Sequence, residues 1–365
     1  MALALEPVRR VRLMSLVGDF ATCTERSEGP VTRRGNMFET RRPYAPLGAH
    51  GLSFLVETGQ GRARARGLFD FGLRSDALDL NLDYFGTDVA SLDALFLSHG
   101  HPDHFGGLDA VVARLRRARA RVPLLYHPAA TRVRRWVWDD RVGGVYRLEP
   151  EAVAKLAPSI TPEVRAEASM ALGDTALFLT SIPRRVAYEA KRPGGQVQFR
   201  EGRGWAVDTT PDDGAVVMNL DGRGLVILTG CGHAGLLNTI YNAIELTGER
   251  RVHALVGGFH LCGASRARIA STVRDLRRVA PRFVIPSHCS GLTFEAALEQ
   301  AFPRGFIMDS VGSDYVFERC ALAHGLGGHD GGLYPRREDP GRRDHHHESA
   351  RAAQRDEPPA QRRIA

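Results

Sequence analysis

Leu95-Phe-Leu-Ser-His-Gly-His-Pro-Asp-His-Phe-Gly-Gly-Leu108 carries an apolar run straight into three histidines and an aspartate within six positions. Imidazole suits borderline cations such as zinc, and a carboxylate can join the same ligand shell. In an extended loop His99 and His101 project to the same side, so both rings reach one ion. Asp103 and His104 follow as the chain turns, and they are offered to a second ion close by. Gly106 and Gly107 let the backbone pass near the site before a helix begins. The reading is a metal centre holding one or two ions, zinc first, with iron and manganese also served by such a donor set.

Outward from this stretch, strand-like runs occupy residues 11–20, 51–57, 67–72 and 92–97, with a helix through Asn81 to Phe85 and another over Leu108–Arg121. The second half repeats one pattern, a buried strand ending at polar residues. Gly224–Thr229 runs into Gly230-Cys-Gly-His233, Val252–Val256 into Gly257-Gly-Phe-His260, and Phe283–Ile285 into Pro286-Ser-His-Cys289. Helices are expected at about 235–247, 264–279 and 293–302. This alternation implies an α/β layered architecture with some antiparallel pairing in the first half. Ends of neighbouring strands converge on one rim, which makes His233, His260 and His288 candidates to complete the site. Cys231 is a candidate too, since a thiolate coordinates zinc or iron, with a small buried residue as the alternative; Cys289 is a weaker one. Residues 24–49, polar and rich in Gly, Pro and Arg, read as a long loop over the site. One domain is expected over 1–325, followed by a disordered charged tail over 326–365 in which His345, His346 and His347 have no role.

The chain has 365 residues, 43% of them hydrophobic, and a net charge of +7. That charge reflects an arginine bias rather than a built patch: Lys155 and Lys191 are the only lysines. The arginine pairs are scattered without interleaved aromatic residues, so nucleic acid is not the expected partner. No apolar run reaches the roughly 18 residues of a membrane span, and the start lacks the pattern of a secretory signal. Five cysteines without a CxxC pair argue against a disulfide framework and fit a reducing compartment, so a cytoplasmic location is expected.

Leu68-Phe-Asp-Phe-Gly72 followed by the 95–108 stretch resembles the metallo-β-lactamase superfamily. The segments 181–189 (SIPRRVAYE), 229–239 (TGCGHAGLLNT), 256–261 (VGGFHL) and 285–291 (IPSHCSG) are similar to its dihydropterin–ribofuranosylaminobenzene 5′-phosphate synthase-like subfamily. The likeness runs from about residue 50 to 317. It implies the αββα sandwich and a metal site closed by His288, with His233 standing for the superfamily's isolated third histidine. It also implies that Asp70 orients a ligand rather than binding metal. The superfamily's bridging aspartate is replaced at Thr229-Gly230-Cys231, so either Cys231 takes its place or the second ion is weak or absent. His127 comes too early to be a ligand and is assigned to fold or substrate.

The chemistry expected of such a site is hydrolysis of a small anionic or phosphorylated molecule. Asp103 would fix the nucleophile and accept its proton. His260 and the amides of Gly257 and Gly258 would face developing negative charge. Arg184 and Arg185 are candidates to hold an anionic group, with surface charge as the alternative. Two other activities remain open: a pterin-type condensation releasing pyrophosphate, which the subfamily implies, and a non-catalytic metal-binding or sensing module. Substrate and oligomeric state are not encoded legibly.

Overall fold

Apolar runs rich in Val, Leu, Ile and Phe dominate the strands, and such runs are stable only where both faces of a sheet are covered. The computed structural model describes residues 3–42, 44–60, 63–138, 141–149, 158–190 and 196–319. Cys320 and the tail, with His345–His347, lie outside them. Among the described residues the longest sheet has eight strands. Their spatial order is β2 (Val31–Arg33), β18 (Ser313–Glu318), β1 (Arg10–Val17), β3 (Ser53–Gln60), β4 (Ala63–Phe69), β5 (Ala94–Leu97), β6 (Val122–Tyr126) and β9 (Ile160–Val164). A second sheet runs β10 (Ser169–Ala171), β11 (Ala176–Leu179), β14 (Ala215–Leu220), β15 (Gly224–Thr229), β16 (Val252–Gly258) and β17 (Phe283–Ser287). The antiparallel half of each sheet gives way to parallel pairing, over β4-β5-β6-β9 and over β15-β16-β17.

Side-chain alternation divides the apolar residues into layers. From β5, Phe96 joins Phe54 and Phe69 on the inner face, where they meet Phe178, Val226, Leu228 and Val256 of the second sheet. The rings of Phe96 and Phe178 lie 5.5 Å apart across the two sheets. Leu95 and Leu97 point the other way, onto helices α1 (Ser75–Phe85) and α2 (Leu108–Ala118). In the same manner Leu225 and Ile227 pack against α3 (Leu236–Thr247), α4 (Arg266–Val279) and α5 (Leu292–Ala301). Helix, sheet, sheet, helix is the αββα sandwich expected from the resemblance.

Two details depart from the sequence reading. Residues 24–49 are not one long loop over the site: β2 within them pairs antiparallel with β18 at the sheet edge, and Asn36 caps a short helical turn over Met37–Thr40. The stretch between the halves, in which no strand is read from the sequence, also carries strands of its own. A third sheet, in the order β13 (Gly204–Val207), β12 (Gln196–Glu201), β7 (Arg134–Trp138) and β8 (Arg141–Tyr146), is antiparallel throughout.

His253, on β16 and far along the strand from the site end, is wedged between the rings of Phe283 and Phe317, at 5.4 and 5.3 Å. Burial first, then Arg223 and Arg282, depress its pKa to about 4. An unfolded histidine titrates near 6.5, so between these values the unfolded chain binds the extra proton. The neutral ring therefore contributes stability that is present above pH 6.5 and is lost as pH falls towards 4. Denaturant unfolding of His253→Phe and the parent at pH 7 and pH 5 is expected to show about 2 kcal/mol less acid sensitivity in the variant. Equal losses in the two proteins would refute this assignment.

Candidate metal centre

The parallel strands deliver the polar residues to one edge. β4 ends at Asp70, β5 at Ser98 and His99, β15 at the loop Gly230–His233, β16 at His260 and β17 at His288. Three of these strand-end residues, Asp70, His260 and His288, sit at φ 58°, 44° and 49°. Left-handed backbone costs a non-glycine residue about 1 kcal/mol or more, and such strain gathers where side chains must be aimed.

Three imidazole nitrogens converge. Nε2 of His99 lies 2.9 Å from Nδ1 of His101. Nε2 of His233 lies 3.1 Å from the former and 3.2 Å from the latter. A ring nitrogen directs its lone pair or its N–H along one axis, so protons cannot serve all three edges of this triangle. A cation can: ligand nitrogens at about 2.0–2.1 Å from a tetrahedral zinc are roughly 3.3 Å apart. Burial, followed by His104 and His101, holds His99 well below the usual histidine pKa, so its ring is neutral and able to donate.

A second group adjoins the first. Nε2 of His104 is 3.1 Å from Sγ of Cys231, and Oδ2 of Asp103 lies 3.3 Å from Nε2 of His288 and 4.0 Å from Nε2 of His104. Oδ1 of Asp103 is buried without a hydrogen-bond partner. Among the described residues Cys231 belongs to two of three groups of converging donor atoms, one with His99 and His233 and the other with His104 and His288; the third joins Asp19, His50 and His288. Burial, then the neighbouring Cys289, push the Cys231 thiol well above its ordinary pKa. The donor atoms, nitrogen with one thiol and one carboxylate, match a borderline-soft divalent ion.

A surrounding frame fixes these donors. Oδ2 of Asp70 accepts from Nδ1 of His104 at 2.7 Å and from the Ser98 hydroxyl at 2.7 Å. Asp19 does the same for His288, whose Nδ1 lies 2.9 Å from Oδ2. Each bond puts the proton on Nδ1 and leaves Nε2 facing the site. The adjacent carboxylates of Asp212 and Asp213 accept the Gly100 and Ala234 amides, both at 2.8 Å. They thereby pin the loops carrying His99, His101 and His233. Glu189 accepts the Leu237 and Asn238 amides at 3.0 Å each, at the start of α3. The 181–189 segment is thus a buttress behind His233.

Close approach demands glycine where the sequence suggested. A Cβ on Gly106 or Gly107 would lie 2.1 and 2.0 Å from the carbonyl oxygens of Leu73 and Phe71. The structure revises other expectations. Arg184 donates to the carbonyl of His233 at 2.5 Å and to that of Thr209, while Arg185 pairs with Glu245 at 2.6 Å on the surface. Arg184 therefore fixes the His233 loop. The Gly258 amide is taken by the Gly230 carbonyl at 3.0 Å, and Gly257 lies within the paired strand. His260 stands beside His233, ring centroids 4.3 Å apart. His127 belongs to the fold: it contacts the Ser181 hydroxyl and accepts the Ala129 amide, both at 3.0 Å. Cys289 neighbours Cys231, its thiol donating to the Cys231 carbonyl at 3.5 Å.

Sequence reading missed His50 and Asp19. Nδ1 of His50 is 2.8 Å from Oδ1 of Asp19, and Nε2 is 3.5 Å from Oδ2 of Asp103. Asp19 follows β1 and His50 precedes β3, both in the antiparallel half, where the strand-end criterion that found His233 and His288 was not applied.

A two-sheet sandwich with metal-ligating loops at one edge defines the metallo-β-lactamase class. The sequence profile of the metallo-β-lactamase superfamily matches residues 48–231, just over half of the chain. The chain belongs to that superfamily and is an enzyme of its metal-dependent class. Among known proteins it is similar to the 7,8-dihydropterin-6-methyl-4-(β-D-ribofuranosyl)-aminobenzene-5′-phosphate synthase of Methanocaldococcus jannaschii. The two are 26% identical over 271 residues, 70% of this chain and 86% of that one. An uncharacterized protein of the same archaeon is 27% identical over 264 residues, 72% of this chain and 91% of its own. Among solved structures, Tm1679, a metal-dependent hydrolase of the β-lactamase superfamily, superimposes with a TM-score of 0.63. It is 22% identical and covers 85% of this chain and all of its own.

Proposed function

We propose that the protein is a metal-dependent hydrolase acting on a small anionic or phosphorylated substrate, with one or two zinc ions as its cofactor. His99, His101 and His233 would hold the first ion. Asp103, His104 and His288 would hold the second, with Cys231 between them. The observation that carries the reading is the pair of donor clusters meeting at Cys231, a thiol where the superfamily usually has a carboxylate. When bound, the metal supplies Lewis acidity and lowers the pKa of water from 15.7 towards about 7. The chain's residues do the rest. Asp103, with one oxygen unpartnered, orients the attacking water and takes its proton. Asp70 and Asp19 hold His104 and His288 in the tautomer that faces the site. His260, beside His233, faces the developing charge.

A second reading, condensation with release of pyrophosphate, is supported by the likeness to the synthase, whose product is by name an organic phosphate. Four described cysteines are free thiols, which supports a reducing, cytoplasmic setting. Among the described residues no helix is long and apolar enough to cross a membrane.

The test is metal content by plasma emission on untagged protein purified without added metal, beside His101→Ala, with bis(4-nitrophenyl) phosphate as the probe substrate. About two ions per chain, falling to one or fewer in the variant together with nitrophenolate release, is the expected result. Protein that binds no metal even after reconstitution would overturn the reading. Metal-loaded protein that is inert alone but joins two organic substrates would favour the synthase.

A further inference from the structure

The third sheet brings aromatic side chains to the metal loops. On β7, Arg134, Trp136 and Trp138 alternate with Arg135 and Val137 and so share one face. Arg134, the innermost, is fully buried and donates to the Gly100 carbonyl at 3.2 Å. Next outward, the Trp136 ring lies 5.0 Å from that of His101, and Tyr146 of β8 stacks on it at 5.7 Å with 29° between planes. Trp136 remains 39% exposed and Trp138, two residues further out, 61%. Apolar surface of this size held open to water weakens folding, and indole is the side chain best suited to stacking and to burying area on a ligand. On the opposite face Arg135 covers Trp205, and at the inner end of the strip's own face Arg132 covers Phe199, the β12 neighbour of Arg134. The two indoles thus stay open to water while the strip's inner end abuts a metal-loop histidine.

We propose that this strip is the substrate's specificity surface, and that the substrate carries a planar aromatic or heteroaromatic ring which packs on Trp136 while its anionic group reaches the metal loops. The proposal rests on the hydrolase reading for the bond broken, but not for the ring bound. Continuity selects a substrate group as the occupant: the strip begins at His101, so a ring seated there is one short linker from the reacting centre. A second copy of the chain is the competing occupant.

The test compares phenyl 4-nitrophenyl phosphate with methyl 4-nitrophenyl phosphate, which share a leaving group and differ by one ring. The metal-loaded full-length protein is expected to prefer the phenyl ester at least tenfold in kcat/KM, through KM. Trp136→Ala is expected to abolish the preference and Trp136→Phe to restore most of it. Calorimetric binding of phenylphosphonate against methylphosphonate reads the same surface without turnover. If neither ester is cleaved, yet phenylphosphonate binds about tenfold more tightly and loses that margin in Trp136→Ala, the hydrolase reading fails and this inference stands. If the two phosphonates bind alike, or the margin survives in Trp136→Ala, the inference is overturned whatever is hydrolysed. Sedimentation velocity completes the test. A dimer of the parent that Trp138→Ala dissociates would give the strip to a second copy and overturn the assignment to substrate.

Discussion

Asp103→Ala is expected to lower kcat/KM by about 10³-fold or more while the protein still folds. Three imidazoles share this carboxylate: Oδ2 lies 3.3 Å from His288, 3.5 Å from His50 and 4.0 Å from His104. Burial alone would raise its pKa, but His104, His288 and His50 outweigh burial and hold it well below the usual carboxylate range. It is therefore ionised at any working pH. On the proposed reading its removal takes away both a metal ligand and the group that orients the nucleophile. Asp103→Asn separates charge from shape, since the amide keeps the volume and one acceptor but loses the anion. The asparagine variant is expected to fall nearly as far as alanine, with one metal ion lost in each. An asparagine variant within about tenfold of the parent would show that the negative charge is dispensable and that Asp103 is a spacer. Thermal midpoints near the parent's would exclude unfolding as the cause.

The reach of the sequence can be judged from this loop outward. His99, His101, Asp103 and His104 were legible because four donors stand behind one apolar strand in a local pattern. His233 and His288 were legible by the weaker criterion of a polar residue closing a buried run. His50 and Asp19 escaped because they sit in the antiparallel half, where strand ends do not by rule converge on a site. Asp212 and Asp213 escaped for another reason. A carboxylate that accepts backbone amides 112 and 21 positions away along the chain leaves no local signature. Arg184, read as a candidate to hold an anion or as surface charge, has its guanidinium on the His233 and Thr209 carbonyls, a contact with no local signature in the sequence. Strand and helix periodicity implied a layered α/β architecture and the family resemblance implied the αββα sandwich, but neither indicated the third sheet. Its strands have mixed, exposed patterns, with β8 interrupted by Gly143-Gly144, so periodicity could not distinguish them from loop.

Arg134→Met is expected to cost about 3–5 kcal/mol of folding stability, the largest single loss outside the apolar core. The guanidinium is fully buried, with Nε 2.5 Å from Oδ2 of Asp208 and Nη2 2.7 Å from Oδ1 of Asp212. Desolvation works against its charge, but Asp212 and Asp208 more than offset it and raise its pKa. Methionine fills much of the space yet leaves two buried carboxylates, with the more exposed Arg132 3.5 Å from Asp208. The same contacts grip one peptide from both sides. Asp212 accepts the Gly100 amide at 2.8 Å while Arg134 donates to the Gly100 carbonyl at 3.2 Å. Loosening Gly100 moves His99 and His101, so metal affinity should fall together with stability. A denaturant midpoint measured with and without metal separates the two effects: the metal-dependent part of the stability should shrink in Arg134→Met. A double-variant cycle sharpens the argument. Asp212→Asn in the Arg134→Met background should cost less than in the parent, because neutralising a stranded carboxylate relieves part of the penalty. If the two losses simply add, or if Arg134→Met costs under about 1 kcal/mol, the carboxylates do not depend on Arg134 and the support of the His99–His101 loop must come from elsewhere.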